Sequence, residues 1–297
     1  MTGMVDHTQT RPDWVDDEFF PFESRFVEID GNRIHYIDEG SGPTLLFLHG
    51  NPTWAFLWRE VIPLLCNRFR CIAIDYPGFG LSSARAGYGY LPREHAEVVA
   101  GFVDALDISG VTLVGQDWGG MIGLACAERR PGAFERLVLA NTWAWPVNGI
   151  PHFEWFGRVV GGRPFGYLVR RANVLVTWFL PAGHKRRKLG KAEMDHYRRA
   201  LGTPDRRQAS AILPRSVLSE SRFFAEVEAG LPKLAHLPTL IVWGDADIAF
   251  RPQELHRLQR SFPNHTTVVL AGAGLYTESD APQEFAAAVL DWVDSGH

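Results

Sequence analysis

The chain has 297 residues, enough for one large α/β domain with an insertion or for two small domains, and its 46% hydrophobic content supports a sizeable core. A net charge of −4 and a sequence pI near 6.3 give no overall basic field that would draw it onto nucleic acid or an anionic membrane. Three cysteines (Cys66, Cys71 and Cys126), an odd number without metal-ligand spacing, argue against a disulfide framework; they read as buried small hydrophobes in a reducing, cytoplasmic setting.

Residues 1–22 read as a polar, partly ordered arm without the apolar stretch of a Sec signal peptide. No run reaches the roughly 18–20 apolar residues of a membrane span. Residues 25–30 and 33–38 alternate as two strands, with hairpin turn chemistry at Asp30-Gly31-Asn32. Residues 44–49 form an apolar strand, 54–65 have helical spacing, and 70–75 form another strand that ends in the loop 76–80. Residues 93–106 place Val99, Phe102, Val103 and Leu106 on one helical face, and Gly110 stops them. A strand at 111–116, a small-residue helix at 119–130 and a strand at 136–140 follow. Strands alternating with helices predict a mostly parallel sheet covered on both faces.

From 145 to about 232 the helical spacing continues without strand alternation. This stretch contains the run Lys185-Arg186-Arg187-Lys188, expected to be a solvated face. The α/β pattern resumes with strands at 239–243 and 266–271 and helices at 252–261 and 283–294; Ser279 or Asp280 is expected to cap the last helix, with Pro282 in its first turn. The expected organisation is an arm (1–22), an α/β core (23–144 and 233–297) and an inserted helical cap (145–232). Aromatic residues between Phe134 and Phe179 suggest the wall of an apolar cavity.

Val111-Thr-Leu-Val-Gly-Gln-Asp-Trp-Gly-Gly120 carries the chemistry. A β-branched strand runs into a turn with glycines around one polar residue, and a helix follows: the layout of a nucleophile elbow. The polar residue is Asp117. A carboxylate there points to attack on a carbon bearing a leaving group, giving an alkyl-enzyme ester. A second loop, His49-Gly-Asn-Pro-Thr-Trp54, also follows a buried strand, and in an open α/β sheet both loops emerge where ligands bind. Asn51 and Trp118 bring neutral side-chain donors that suit a departing halide, and their backbone N–H groups suit an oxyanion.

The pair HGNPTW and GQDWGG resembles the haloalkane dehalogenases of the α/β-hydrolase fold, over the chain from about Phe22 to Val293. The resemblance implies hydrolysis of a small halogenated aliphatic substrate to alcohol and halide ion, without metal or organic cofactor. It implies a third catalytic residue, an acid, which the W-G-x-x-D spacing of Trp243–Asp247 assigns to Asp247 rather than Asp245; the slot after the preceding strand, Asn141-Thr-Trp143, has no carboxylate. Asp247 with Asn51 resembles the third subfamily of these enzymes.

The family's last motif places a histidine base after A-G. This chain reads Leu270-Ala-Gly-Ala-Gly-Leu-Tyr-Thr-Glu-Ser-Asp-Ala-Pro282, with Leu275 in that slot. Leucine can neither take a proton nor orient water. His265 precedes the strand, and His297 is terminal. The expectation is displacement of halide followed by a blocked or very slow ester step. Two alternatives stand beside it: an epoxide hydrolase using Tyr167 or Tyr197, and a ligand-binding member of the fold that has lost catalysis.

Overall fold

The computed structural model describes residues 11–296; residues 1–10 of the expected arm and the terminal His297 lie outside the described residues. Eight strands, β1 (Arg25–Ile29), β2 (Asn32–Glu39), β3 (Thr44–Leu48), β4 (Arg70–Ile74), β5 (Val111–Gln116), β6 (Phe134–Ala140), β7 (Thr239–Gly244) and β8 (His265–Leu270), form one sheet in the order β1-β2-β4-β3-β5-β6-β7-β8. The β1–β2 and β2–β4 pairs are antiparallel, and β3 to β8 run parallel. Asp30 and Gly31 both have positive φ, as the two-residue hairpin joining β1 to β2 requires. Every residue of β3, β5 and β7 is buried, the pattern of parallel strands covered on both faces.

Residues 54–65 split where the spacing predicted one helix. A 3-10 turn (Ala55–Trp58) precedes a short α1 (Ile62–Leu65). Pro63 has no N–H to give the carbonyl four residues back, which disfavours a continuous helix through it and suits its place in the first turn of α1. Next come α2 (Pro92–Ala105) and α3 (Trp118–Arg129), which match the predicted helices to within a residue. The stretch just before β1 is packed against the molecule: Val15, Phe20 and Phe22 are buried, and the Trp14 and Phe20 rings lie 5.9 and 5.1 Å from Trp54.

Between β6 and β7 the chain forms α4 (Pro151–Val159), α5 (Arg163–Ala172), a π-helical turn (Leu175–Phe179), α6 (Leu180–Gly183), α7 (Lys191–Ala200), α8 (Gln208–Ser219) and α9 (Ser221–Gly230), with no strand among the described residues. The basic run is mostly solvent-exposed, as expected, with Arg187 alone half-buried, but its two arginines are also paired. Lys185 and Lys188 are exposed, but Arg187 pairs with Glu60 at 2.7 Å and with Glu193, and Arg186 reaches Glu284 and the Ala271 carbonyl. These arginines fasten the helical segment to the sheet domain.

After α10 (Pro252–Ser261) and β8, a single turn α11 (Thr277–Asp280) leads into α12 (Pro282–Asp294). Neither Ser279 nor Asp280 caps α12, whose N-cap position is Ala281. The Asp280 carboxylate instead accepts the N–H groups of Gly274 and Lys185, both at 2.8 Å, and the Ser279 hydroxyl meets His184 Nε2 at 3.0 Å. Both side chains are spent on holding the loop after β8 against the helical segment.

Candidate active site

Strand register explains why distant residues meet. Leu48 of β3 lies beside Gly115 of β5, Gln116 beside Ala140 of β6, Ala140 beside Val242 of β7, and Gly244 beside Leu270 of β8. Five strands therefore end on one edge, the carboxyl edge where ligands bind in such sheets. Asn51, Asp117, Trp118, Asp247 and Leu275 all follow these strand ends, and all five line one cavity of about 300 Å³.

Asp117 sits between β5 and α3 with φ 51° and ψ −123°, a strained conformation for a residue with a side chain. Close packing holds it there. A Cβ on Gly119 would overlap the Leu48 carbonyl, and one on Gly50 would come within 2.5 Å of Asp117 Oδ2. The Asn51 backbone N–H donates to Asp117 Oδ2 at 3.0 Å, and the Thr142 hydroxyl donates to the Asp117 carbonyl at 2.6 Å. Burial pushes the carboxyl up to about 7; the N–H groups of Asn51 and Trp118 pull it down, and the Asp247 charge adds to the rise. Asp117 is thus a poised, desolvated carboxylate with one oxygen gripped by a backbone donor.

Trp118 packs edge-on against Trp143 at 4.9 Å, and Trp143 stacks on Phe250 at 5.4 Å, which builds an aromatic wall. The Trp118 indole N–H takes no partner among the described residues. The Asn51 side chain is less free than its sequence position implied, because its Nδ2 donates to the Ser210 carbonyl of α8 at 3.2 Å. A second N–H on the same nitrogen remains for the cavity.

Asp247 lines the cavity, whereas Asp245 is exposed and accepts the Gly272 N–H at 2.6 Å. Asp247 takes the Ala249 N–H at 2.7 Å and the Asn141 side-chain amide at 2.9 Å. Burial raises its carboxyl to about 6 against the pull of these donors. Asn141 was read from sequence only as an empty acid slot. It is in fact a buried clamp, since it also binds the Gly244 carbonyl and N–H and so ties β6 to β7. Its place directly after a strand at the ligand edge was the available signal.

Leu275 is held by its backbone, its N–H donating to the Gly183 carbonyl at 3.0 Å and its carbonyl accepting from Gln116 Nε2 at 3.1 Å. The histidines nearby do not replace it. His184 spends both ring nitrogens on the Leu180 carbonyl and Ser279, and His49 is fully buried, pushed down to about 4 by burial, with its ring bonded to Gly50 and Tyr76. His265 opens β8, at the far edge. The one histidine among the lining residues is His152 of α4, on the side of Phe250 and Arg251, with Glu254 3.9 Å from its Nε2. Of the tyrosines weighed earlier, Tyr167 is exposed and Tyr197 is buried beside Arg59; neither lines the cavity. Tyr276 does, its hydroxyl 3.5 Å from the Asn51 carbonyl.

Comparison with known proteins sharpens this geometry. The family model described as the alpha/beta hydrolase fold matches residues 43–276. The chain is 41% identical over 278 residues to haloalkane dehalogenase 2 of Mycobacterium tuberculosis, covering 93% of this chain and 96% of that one. It is 31% identical to a cis-3-alkyl-4-alkyloxetan-2-one decarboxylase of Shewanella oneidensis, covering 90% of this chain and 87% of that one. The crystal structure of the haloalkane dehalogenase DbeA from Bradyrhizobium elkani superposes with a TM-score of 0.83 at 25% identity, covering 92% of this chain and 98% of that one.

Proposed function

The chain belongs to the haloalkane dehalogenase family of the α/β-hydrolase fold, and from that footing we propose that Asp117 displaces halide from a haloalkane and is then held as an alkyl ester, because Leu275 stands where the water-activating base belongs. The free oxygen of Asp117 attacks the halogenated carbon. The carbon–halogen bond breaks with its electron pair leaving on the halide, which the Trp118 indole N–H and the Asn51 amide receive. No proton moves in this step, so no base is needed. The backbone N–H groups of Asn51 and Trp118 then polarise the ester carbonyl. Hydrolysis requires deprotonation of water, which leucine cannot perform. The helical segment supplies the apolar wall over the cavity, through Phe153, Phe156, Leu175 and Phe179.

The observation that carries this reading is a carboxylate on a strained elbow, opening into an aromatic cavity whose β8 side is leucine. The test is bromide released per protein from excess 1-bromohexane, with the intact mass followed in parallel. One equivalent of bromide, then a plateau with one hexyl group retained, is the expected result. Release far beyond one equivalent overturns the block, and the His152→Ala variant then shows whether His152 supplies the base.

Leu275 itself favours a second reading. The decarboxylase relative is named for a four-membered lactone, and with such a substrate the same nucleophile needs no water. Asp117 would open the ring at C4, breaking the C4–O bond and freeing the C3 carboxylate. Loss of carbon dioxide would then pass the electron pair into a C3–C4 double bond and expel Asp117 as carboxylate. The balance is one lactone to one alkene and one carbon dioxide. Alkene formation over many turnovers from a cis-dialkyl oxetan-2-one, beside a single bromide burst, would select this reading; no alkene would remove it.

A further inference from the structure

Whole-chain charge gives no basic field, but its distribution is lopsided. The helical segment 145–232 holds fifteen of the thirty Lys and Arg and seven of the thirty-four Asp and Glu, so it carries a surplus of eight positive charges and the remainder a net −12. The exposed large apolar residues are just as uneven. Of the eight among the described residues, five (Trp155, Val159, Tyr167, Leu168 and Trp178) lie on α4, α5 and the π turn, and a sixth, Ile248, faces the same cavity as Trp155. Their exposures are high where it counts: 61% for Trp155, 66% for Trp178 and 68% for Ile248. Phe179 ties these elements together, 6.4 Å from Phe156 and 5.8 Å from Phe165, and its ring also lines the cavity. The exposed apolar surface thus meets the substrate cavity at Trp155 and Ile248 and continues outside it through Val159, Tyr167, Leu168 and Trp178.

Beside it, between α5 and α8, a second cleft of about 620 Å³ is lined by Arg163, Arg170, Arg171 and Arg215 with Tyr167, and Asp205 is its one acidic residue. Arg163, Arg171 and Arg215 make no ion pair among the described residues, and Arg171 lies 5.7 Å over the Tyr167 ring. Unpaired arginines beside exposed Trp, Tyr and Leu match an anionic lipid surface, where indole and aliphatic groups enter the boundary and guanidinium groups meet phosphate.

We propose that this face of the helical segment docks the protein on an anionic lipid surface, with the cavity mouth at the interface, so that apolar substrates enter from the lipid. A second copy of the chain fits less well. Two such faces repel, and among the described residues the acidic remainder offers, besides Ile248 at the cavity, only Leu64 and Val269 as exposed large apolar residues, too few to cover the patch. The inference is independent of the fate of the Asp117 ester.

The test is flotation of the intact protein with phosphatidylcholine vesicles, with and without 30 mol% phosphatidylglycerol (a composition of about one anionic lipid in three, which gives a negative surface potential). Binding to the anionic vesicles alone, weakened by salt, is expected. Each arginine near such a surface contributes about five-fold, so the Arg163→Gln/Arg171→Gln variant should bind about twenty-five-fold more weakly. Trp178→Ala should lose both binding and the blue shift of tryptophan emission on lipid addition. None of these three residues lines the cavity, so bromide release from dissolved 1-bromohexane should stay at the parent level and certify the fold. No flotation, equal binding to neutral vesicles, or lipid-free self-association abolished by Trp178→Ala would each overturn the proposal.

Discussion

The loops after β3 and β5 and the loop after β8 open on the same cavity but are furnished differently. On the β3–β5 side stand the groups that the proposed displacement uses: a strained carboxylate, a backbone N–H at 3.0 Å from it, and an unpartnered indole. On the β8 side the scaffold is equally well built, with Asp280 accepting two backbone N–H groups, Gln116 binding the Leu275 carbonyl and Asp247 clamped by Asn141. Only the side chain at 275 fails to match. Under the proposed mechanism the contrast teaches that formation of the ester and its hydrolysis would be served by separate loops, so that one could be lost while the fold that presents both stays intact.

The sharpest way to break the comparison is Asp117→Asn. An amide is no nucleophile here, and bromide release should fall by about 10⁴-fold or more. The same variant should be more stable above pH 7. The folded state holds the Asp117 proton up to about pH 7 against an unfolded value near 3.8, so burying the charge costs stability as pH rises between them. Removing that charge should add about 2–4 kcal/mol at pH 8 and nothing at pH 4, read as the change in denaturation midpoint. A gain over the parent no larger at pH 8 than at pH 4 would contradict the raised carboxyl.

Leu275→His addresses the other side. Turnover beyond one equivalent should rise by about 10²–10⁴-fold, and Asp247→Asn added to it should take most of that gain away. In the parent chain Asp247→Asn should leave the burst nearly unchanged. If Leu275→His folds and still stops at one equivalent, the pairing of the two strand ends is wrong. The burst rate should depend on pH chiefly through Asp117, with the nearby Asp247 charge modulating it, climbing with an apparent value of about 7 and falling about ten-fold per unit below it. A flat profile from pH 5 to 8 would exclude Asp117 as the titrating nucleophile. The smallest effect is expected for Trp118→Phe, which keeps the ring and removes one donor: about 10–100-fold in the burst and less for iodide than for chloride, measured as halide released in the first turnover.

Much of this was legible beforehand because it is local. Strand periodicity, the glycines around Asp117 and the spacing from Trp243 to Asp247 are short-range patterns, and each located a loop at a strand end. The failures share one physical cause. Ser279 and Asp280 looked like caps from their neighbours, but their partners, His184, Lys185 and Gly274, come from elsewhere in the chain or from the loop's own fold. The ion pairs of Arg186 and Arg187 were not legible because their carboxylates, Glu284, Glu60 and Glu193, are not beside them in the pattern. Asn141 looked like a vacancy because its value lies in bridging two strands.

By itself the sequence determined the alternation of strands and helices around the sheet, the carboxylate at the elbow, Asp117, and the leucine at 275, since each depends only on residue type and spacing. Tertiary structure alone decided which groups share a cavity and which are used up elsewhere: the Asn51 amide on Ser210, both nitrogens of His184, the N–H groups on Asp247. It also set the exposed Tyr167 beside the arginines of α5 and α8, in a stretch whose positive surplus the sequence already carries. Hydrogen bonds and burial are spatial, and a charge total carries no information about where the charges lie.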